Sequence, residues 1–322
     1  MINPLSLTTL KVLNILNDCN IHTGSDIANA LEISRAAVWK VIQRLKKQGV
    51  PIDSQHQGYQ LKNPLILFDK NRIEKSLKNT NLTLEIFETI SSTRDYLLNK
   101  YPSKKINICL TELQTEGKGR FGRKWSSPFG RNIYCSLRYP FHKDIIEFSG
   151  LSMVIGILTI QAIESLLPKP ILRLKWPNDI YNKDQKIGGI LIDLIAQAHG
   201  DCTAVISLGL NINMKDDELK DVHQPWTSLE HIVNEKLDRN VIITKIIHTI
   251  LKGLENFQKN GMDTFLQEWK RYDYLENKKV SVGTATNFVS GIAKGVNSQG
   301  NLRIELANGI IQIFSYGDTI LK

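Results

Sequence analysis

The chain has 322 residues, enough for two or three domains, and its 42% hydrophobic and 23% charged residues are typical of a globular protein. The net charge of +9 favours anionic partners such as nucleic acid or nucleotides. Four widely spaced cysteines without a C-x-x-C pair exclude zinc and thioredoxin motifs. No secretory signal or bilayer-length apolar segment is apparent, so we expect a cytoplasmic protein with no membrane partner.

The first sixty residues predict three short helices followed by two short strands. The first helix covers Leu7–Leu16, and the second starts after Thr23, which can cap it with Asp26 three residues on. The third begins after Ser34, a good N-cap, and its apolar residues recur at helical spacing. After Gly49, two β-like runs flank a polar tip. This order predicts a winged helix-turn-helix.

The outer face of the third helix is basic, because five cations and no acid lie between Ser34 and Gly49. In a helix-turn-helix protein the start of the second helix of the motif meets base edges, and flanking cations meet phosphates. We therefore expect residues 1–63 to bind DNA, with Asn63-Pro64 as the boundary; a protein-interaction domain with a basic face is the alternative. The predicted DNA contacts are Thr23, Ser34, Arg35, Ala36, Trp39, Lys40 and Arg44.

Residues 67–272 mix strands with helices, and residues 273–322 alternate short β-like runs with glycines at turn spacing, which predicts a small β-barrel. The central strands are predicted at Leu84–Thr89, Ile106–Leu113, Asn132–Tyr139, Leu172–Trp176 and Thr203–Asn213. The helices are predicted at Arg94–Lys100, Phe148–Leu167, Val241–Phe257 and Met262–Trp269.

The stretch Gly117–Trp125 contains four cations, three glycines and no acid in nine residues. Glycines let the backbone approach a ligand closely, and arginine and lysine neutralise phosphate or carboxylate. The stretch contains G-x-G-x-x-G, but turn residues follow it instead of a helix, and no G-K-[ST] closes it. Neither a dinucleotide fold nor a P-loop is predicted. We expect an anion site, with a nucleotide as the first candidate; a solvated basic loop is the alternative.

Polar residues also mark the ends of the neighbouring strands. Lys175 and Asp179 bracket a Trp-Pro turn, and Lys186 precedes two glycines. Each has a structural explanation alone, but together they indicate a site. The ordered set resembles the motifs of biotin protein ligases, and it consists of Ser92-Thr93, Gln114, Gly117–Trp125, Lys175–Asp179 and Lys186–Leu191. With the helix-turn-helix, the whole chain resembles the bifunctional type that also represses biotin synthesis genes.

The resemblance implies an α+β multidomain protein. It would have a winged helix-turn-helix, a central mixed α/β ligase domain resembling class II aminoacyl-tRNA synthetases, and a small C-terminal β-barrel. The implied reaction joins biotin to ATP with Mg²⁺, forms biotinyl-5′-AMP, and transfers biotin to a lysine of the biotin carboxyl carrier protein of acetyl-CoA carboxylase. Biotin would be both substrate and corepressor precursor. The other implied partners are operator DNA and a second copy of the chain once the adenylate is bound.

The family pattern also implies residue roles. Arg120 and Lys186 would be catalytic, and backbone amides at Gly117 and Gly119 would bind ligand oxygens. The implied biotin contacts are Ser92, Thr93, Arg94, Gln114, Lys118, Gly119, Arg120 and Lys186. The implied nucleotide contacts are Gly117, Arg123, Trp125, Lys175, Asn178, Asp179 and Asn213. No metal ligand is assigned, and Asp179 is the one candidate.

Three positions depart from the family pattern. Arg94 stands where asparagine is frequent, Phe121 replaces a residue that is often basic, and Asn211 stands where a second glycine is common. Two other functions remain open at this point. One is lipoate ligation on the same catalytic architecture. The other is a ligand-sensing repressor with an inactive ligase domain.

Overall fold

The computed structural model describes residues 3–4, 6–78, 81–100, 104–141, 148–168, 171–196, 202–215, 224–284 and 287–321. A two-residue strand, β1 (Asn3–Pro4), precedes the helices α1 (Leu7–Leu16), α2 (Gly24–Leu31) and α3 (Arg35–Lys47). The antiparallel strands β2 (Ile52–Gln55) and β3 (Gly58–Leu61) follow as the wing. The winged helix-turn-helix is therefore confirmed.

Side-chain caps explain where these helices begin. The hydroxyl oxygens of Ser6, Thr23 and Ser34 each accept a hydrogen bond from the backbone N–H three residues later. These bonds satisfy amides that have no partner within the helix. The predicted apolar stripe of α3 is buried at Val38, Ile42 and Leu45.

The central part of the chain forms an eight-stranded mixed sheet in the order β1-β4-β5-β6-β10-β9-β8-β7, in which β4 and β5 are parallel. Its further strands are β4 (Leu82–Ile90), β5 (Ile106–Gln114), β6 (Ile133–Phe141), β7 (Leu172–Lys175), β8 (Asp179–Asn182), β9 (Gln185–Ala196) and β10 (Cys202–Leu210). The helices of this part are α4 (Lys70–Leu77), α5 (Thr93–Leu98), α6 (Leu151–Glu164), α7 (Leu229–Val233), α8 (Arg239–Asn260) and α9 (Leu266–Tyr272).

The C-terminal part is a small β domain, as expected. Its five antiparallel strands lie in the order β14-β13-β12-β11-β15. They are β11 (Lys279–Thr284), β12 (Asn287–Val296), β13 (Leu302–Glu305), β14 (Ile311–Phe314) and β15 (Asp318–Leu321). The domain contacts the central sheet at Trp176, whose indole Nε1 donates to Gly300 O at 3.1 Å and whose carbonyl accepts from Thr319 Oγ1 at 3.1 Å. This contact places β15 beside the end of β7.

Among the described residues, sequence patterns missed the short elements β1, α4, β8, α7 and β15, and the run after Lys186 was not assigned to the strand β9. Strand β8 starts at Asp179, which was predicted to lie in a turn, and it pairs with both β7 and β9. The short elements have two to eight residues, which carry too few periods of apolar spacing to be recognised, and their contacts with the rest of the molecule stabilise them instead.

The predicted boundary at Asn63-Pro64 leads into a strap, residues 64–69, that is bonded to both sides. Leu65 exchanges two hydrogen bonds with the side chain of Asn17, at 2.6 and 2.7 Å. On the other side, Arg239 and Glu112 form an ion pair at 2.6 Å, and neither side chain is exposed. Arg239 also donates to Ile66 O at 2.9 Å. The segment between the winged domain and the central domain is therefore hydrogen-bonded to both of them, unlike a flexible linker.

Candidate active site

A cavity of about 640 Å³ lies above the ends of β5, β8, β9 and β10 and under β15. Its volume falls within the range of small-molecule sites. It brings together nearly all of the predicted ligand residues, although the sequence places them far apart. The predicted residues that line it are Ser92, Thr93, Arg94, Gln114, Lys118, Gly119, Arg120, Arg123, Trp125, Lys175, Asn178, Asp179 and Lys186.

One end of the cavity is neutral and hydrogen-bonded. Ser92 is buried and caps α5 by accepting from the Asp95 N–H at 3.2 Å. The Gln114 carbonyl oxygen accepts from both the backbone N–H and the hydroxyl of Thr93, at 3.0 and 3.2 Å. Two serines that the sequence did not single out, Ser136 and Ser207, extend this chain of bonds. They lie opposite each other on β6 and β10.

The other end of the cavity is charged. Lys186 Nζ lies 2.9 Å from Asp179 Oδ2, and its side chain is 14% exposed. Arg120 donates to Asn178 Oδ1 and to Gly317 O, each at 3.2 Å. Burial lowers the pKa of the Arg120 guanidinium, and the nearby carboxylates of Asp318 and Asp179 oppose that shift. The two predicted catalytic cations therefore line one cavity and contact the neighbouring residues Asp179 and Asn178.

Lys175 also faces this charged end. Burial lowers the pKa of its amine, and Asp179 partly offsets the effect. Its Nζ lies 5.3 Å from the centre of the Tyr181 ring, within the range of a cation–π contact.

Backbone hydrogen bonds within the glycine-rich loop hold its two ends together. Trp125 N–H donates to Gly117 O at 2.8 Å. A Cβ at Gly117 would lie 2.5 Å from Trp125 O, so a glycine is required there by the loop itself. Gly119 N–H donates to Arg123 O at 2.7 Å. The predicted bond from the Gly119 amide to a ligand is therefore not available in this conformation, because the donor is used within the loop.

The indole of Trp125 requires a glycine at one position beside the cavity, Gly209. A Cβ on Gly209 would lie 2.5 Å from the indole, and one on Gly189 would lie 3.5 Å from it. The indole packs directly on these two positions of β9 and β10, while Lys186 Nζ lies 5.6 Å from the ring. A side chain at position 209 would collide with the indole, whereas the distance at Gly189 is that of an ordinary contact.

Acidic residues that the sequence did not single out pair with the cations of the site. Arg94 makes a bidentate contact with Asp193, in which Nε donates to Oδ2 at 2.6 Å, and burial of Arg94 opposes the rise in pKa that this pair causes. Asp95 bonds both Arg94 at 2.9 Å and Lys118 at 2.6 Å. Arg123 contacts Asp318 at 2.8 and 3.0 Å. The basic loop is thus anchored by acids at both ends.

Asn213 does not lie in the cavity, contrary to its predicted nucleotide role. It is 1% exposed, and its side chain exchanges hydrogen bonds with the backbone of Leu237 at 2.8 and 3.0 Å. Asn211, which was given no ligand role, is also buried and donates to Thr227 O at 3.1 Å. Both amides hold the loop after β10 in place, and their polar groups are satisfied by the protein.

The predicted DNA face divides into two parts. Ser34, Arg35, Ala36, Trp39 and Lys40 are exposed along the start of α3, and Thr23 caps α2. Arg44 has a different environment, because its Nε lies 3.3 Å from the fully buried carboxylate of Glu88 on β4. Gln48 donates to the same carboxylate at 3.0 Å. In this conformation Arg44 is a contact between domains, so a DNA phosphate would compete with Glu88 for its guanidinium.

No group of three or more histidines, cysteines, aspartates or glutamates that could hold a metal ion occurs among the described residues. Within the same residues, no helix has the length and apolar character required to cross a bilayer.

Three family models match successive parts of the chain. The model described as HTH domain matches residues 8–60, the Biotin/lipoate A/B protein ligase family matches residues 86–213, and the Biotin protein ligase C terminal domain matches residues 277–322. Their order agrees with the three structural parts described above.

Similar proteins extend over almost the whole chain. It is 33% identical over 315 residues to the bifunctional ligase/repressor BirA of Escherichia coli, which covers 97% of each protein. It is 28% identical over 302 residues to BirA of Bacillus subtilis, which covers 91% of this chain and 92% of that one. In structure it is similar to the biotin protein ligase from Aquifex aeolicus in complex with biotin and ATP, with a TM-score of 0.63 and 22% identity over 76% of this chain and 99% of that chain.

Proposed function

The chain belongs to the family of bifunctional biotin protein ligases and biotin repressors, and we propose that it activates biotin with ATP and transfers it to a carrier lysine. The observation that carries this proposal is the division of one cavity into a neutral end and a cationic end. A biotin molecule has a polar, uncharged ring and a carboxylate tail, and ATP adds a triphosphate. Both ends of the cavity thus have a matching group in the two substrates.

In the first step a biotin carboxylate oxygen attacks the α-phosphorus of ATP, and the bond to the β-phosphate breaks to release pyrophosphate. Two anions approach each other, so positioned cations must offset their repulsion and the charge of the transition state. Lys186 and Arg120 are held for this task by Asp179 and Asn178. Trp125 would line the adenylate, and Lys175 would face the phosphates.

In the second step the amine of the carrier lysine attacks the acyl carbon, and AMP leaves. The amine is taken unprotonated from solution, and Lys186 polarises the acyl phosphate. Mg²⁺ would be held largely by the phosphates of ATP, with Asp179 as the candidate protein carboxylate, in keeping with the few protein ligands that Mg²⁺ usually takes. The ion would neutralise phosphate charge.

The second activity we propose is repression of biotin synthesis genes through the exposed start of α3. Two helix-turn-helix units that read a palindrome require a two-fold dimer. We propose that bound adenylate favours this homodimer and thereby couples the presence of biotin to DNA binding. The biotin carboxyl carrier protein of acetyl-CoA carboxylase is the proposed acceptor. The cytoplasm is the proposed compartment, in line with four free cysteines. The proposed domains are residues 1–63, 67–272 and 273–322.

The decisive experiment measures pyrophosphate release and streptavidin-detected labelling of a carrier domain, each with biotin, with lipoate and without either acid. We expect pyrophosphate release and carrier labelling with biotin, and neither with lipoate or without an added acid. Release with lipoate but not biotin would make the protein a lipoate ligase, and tight biotin binding without release would make it a sensor. Analytical ultracentrifugation with biotin and ATP tests dimerisation, and a protein that stays monomeric at operator-saturating concentration would contradict it.

A further inference from the structure

The neutral end of the cavity contains a row of side chains joined by hydrogen bonds whose direction can be deduced. The row runs Gln114, Thr93, Ser136 and Ser207, with Thr93 Oγ1 2.8 Å from Ser136 Oγ and Ser136 Oγ 2.9 Å from Ser207 Oγ. Ser136 is fully buried, whereas Gln114, Thr93 and Ser207 line the cavity. The register of β6 and β10 places the two serines directly opposite each other.

The orientation of the Gln114 amide is set by the backbone. The N–H of Thr93 can only donate, so the Gln114 atom that it contacts at 3.0 Å is the carbonyl oxygen. The Thr93 hydroxyl lies 3.2 Å from the same oxygen and must also donate to it. The NH₂ group of Gln114 therefore supplies the donors, one of which reaches Ser127 Oγ at 3.3 Å.

The remaining protons follow from the fact that a hydroxyl has one proton. Since Thr93 uses its proton on Gln114, Ser136 must donate to Thr93 at 2.8 Å. Since Ser136 is then used, Ser207 must donate to Ser136 at 2.9 Å. The Ser207 oxygen thus has no proton left for a ligand and presents only lone pairs to the cavity.

We propose that Ser207 is a specificity-determining residue that accepts a hydrogen bond from a ureido N–H of biotin, and that Ser136 is the positioning residue that holds it in the accepting state. The inference rests on the proposed function and deepens it. A cyclic urea offers N–H donors beside a carbonyl acceptor, which matches the Ser207 acceptor and the Gln114 donor. A dithiolane ring has no N–H, so the same row would leave Ser207 unpaired and select against lipoate.

The test measures binding by isothermal titration without ATP, so it does not depend on turnover. The ligands are biotin and the two biotins that carry one methyl group on either ureido nitrogen. The proteins are the wild type, Ser207→Ala, Ser136→Ala and a matched control, Ser281→Ala. Ser281 is also a buried strand serine bonded to another serine, Ser290, at 2.8 Å, but it lies in the C-terminal sheet.

We expect Ser207→Ala to raise the Kd for biotin about tenfold, the effect of removing one partner of a buried hydrogen bond. We expect one methylated biotin to bind the wild type at least tenfold more weakly than biotin does, and this difference to vanish in Ser207→Ala. Ser136→Ala should shrink the same difference, which a purely structural defect would not do. Ser281→Ala should behave as the wild type.

The role of Ser207 would be overturned if Ser207→Ala bound biotin with the wild-type Kd. It would also be overturned if the difference in Kd between biotin and the methylated biotins were as large in Ser207→Ala as in the wild type. Either result would leave the ligase function standing. If this difference in Kd vanished in Ser207→Ala but stayed at its wild-type size in Ser136→Ala, the proton directions assigned to the row would be wrong. If the wild type bound no biotin, both the inference and the proposed function would fall together.

Discussion

The two ends of the cavity use opposite means of holding a ligand. At the neutral end, Gln114, Thr93, Ser136 and Ser207 satisfy one another in a single pattern before any ligand arrives. At the charged end, Lys186 is matched by the carboxylate of Asp179, and Arg120 by the oxygens of Asn178 and Gly317. Neutral groups tolerate burial when they are bonded, whereas buried charges need counter-charges. The charged end must therefore exchange partners when an anionic ligand binds, and the neutral end need not.

The largest effect is expected from Lys186→Met. It should lower the rate of pyrophosphate release about 10²–10³-fold, the usual result of removing a group that stabilises a transition state, with a much smaller change in biotin Kd. Lys183→Met is the matched control, because this exposed lysine lies in the turn of the same β8–β9 hairpin. A loss of biotin affinity as large as the loss of rate would show that the two ends are not separate.

Arg120→Gly should release the adenylate early, by about 10- to 100-fold in dissociation rate, since a charged hydrogen-bonding group is lost. Lysines of an unrelated protein added to the reaction should then be biotinylated. Rapid gel filtration of the protein–adenylate complex measures retention. The control is Arg303→Gly, because this arginine is exposed on β13 and does not line the cavity. Retention of adenylate as in the wild type would remove the holding role of Arg120.

Asp318→Asn should loosen the basic loop, because Asp318 pairs with Arg123 at 2.8 Å and lies 3.6 Å from Arg120. We expect the KM for ATP to rise about threefold to fivefold, in keeping with a partly exposed ion pair. Trypsin should also cleave the loop faster. Asp318→Glu keeps the carboxylate and should stay near the wild type. Equal cleavage in all three proteins would show that the C-terminal domain does not anchor the loop.

The smallest effect concerns pH. Because burial lowers the pKa of Lys175 from its usual 10.5, the amine loses its positive charge at a lower pH than an exposed lysine does. The KM for ATP should therefore rise about twofold to threefold as the pH increases toward the lowered pKa of Lys175, an effect typical of losing one screened charge. Lys175→Arg remains charged and should flatten the profile.

The Kd for biotin should stay constant over the same pH range. The four side chains of the neutral row do not titrate there, and burial raises the pKa values of Cys135 and Tyr181, which also line the cavity, to about 12. A biotin Kd that followed the ATP profile would contradict the separation of the two ends.

Much of the site was predictable because its residues come in local groups. A glycine-rich cationic loop, a Lys-Trp-Pro-Asn-Asp turn and a lysine before two glycines each announce anion chemistry within a few positions, and all of them line the cavity. The wing and the helix caps were predictable for the same reason, since the contacts that define them span three or four residues.

The parts that were not predictable depend on contacts between distant positions. Ser136 and Ser207 are 71 residues apart, Arg123 and Asp318 are 195 apart, and Arg94 and Asp193 are 99 apart. A lone serine or aspartate on a strand carries no local sign of its partner. For the same reason, the sequence placed Arg44 on DNA and Asn213 on the nucleotide, whereas the fold gives them Glu88 and Leu237 as partners.

The sequence by itself determined the type of chemistry, because side-chain identity decides whether a group carries charge and local spacing decides which groups form a motif. Only the tertiary structure decided which cations have acidic partners, which glycine makes room for Trp125, and which way the hydroxyl protons point. These properties depend on strand register and on distances of about 3 Å between atoms that the chain separates by many residues.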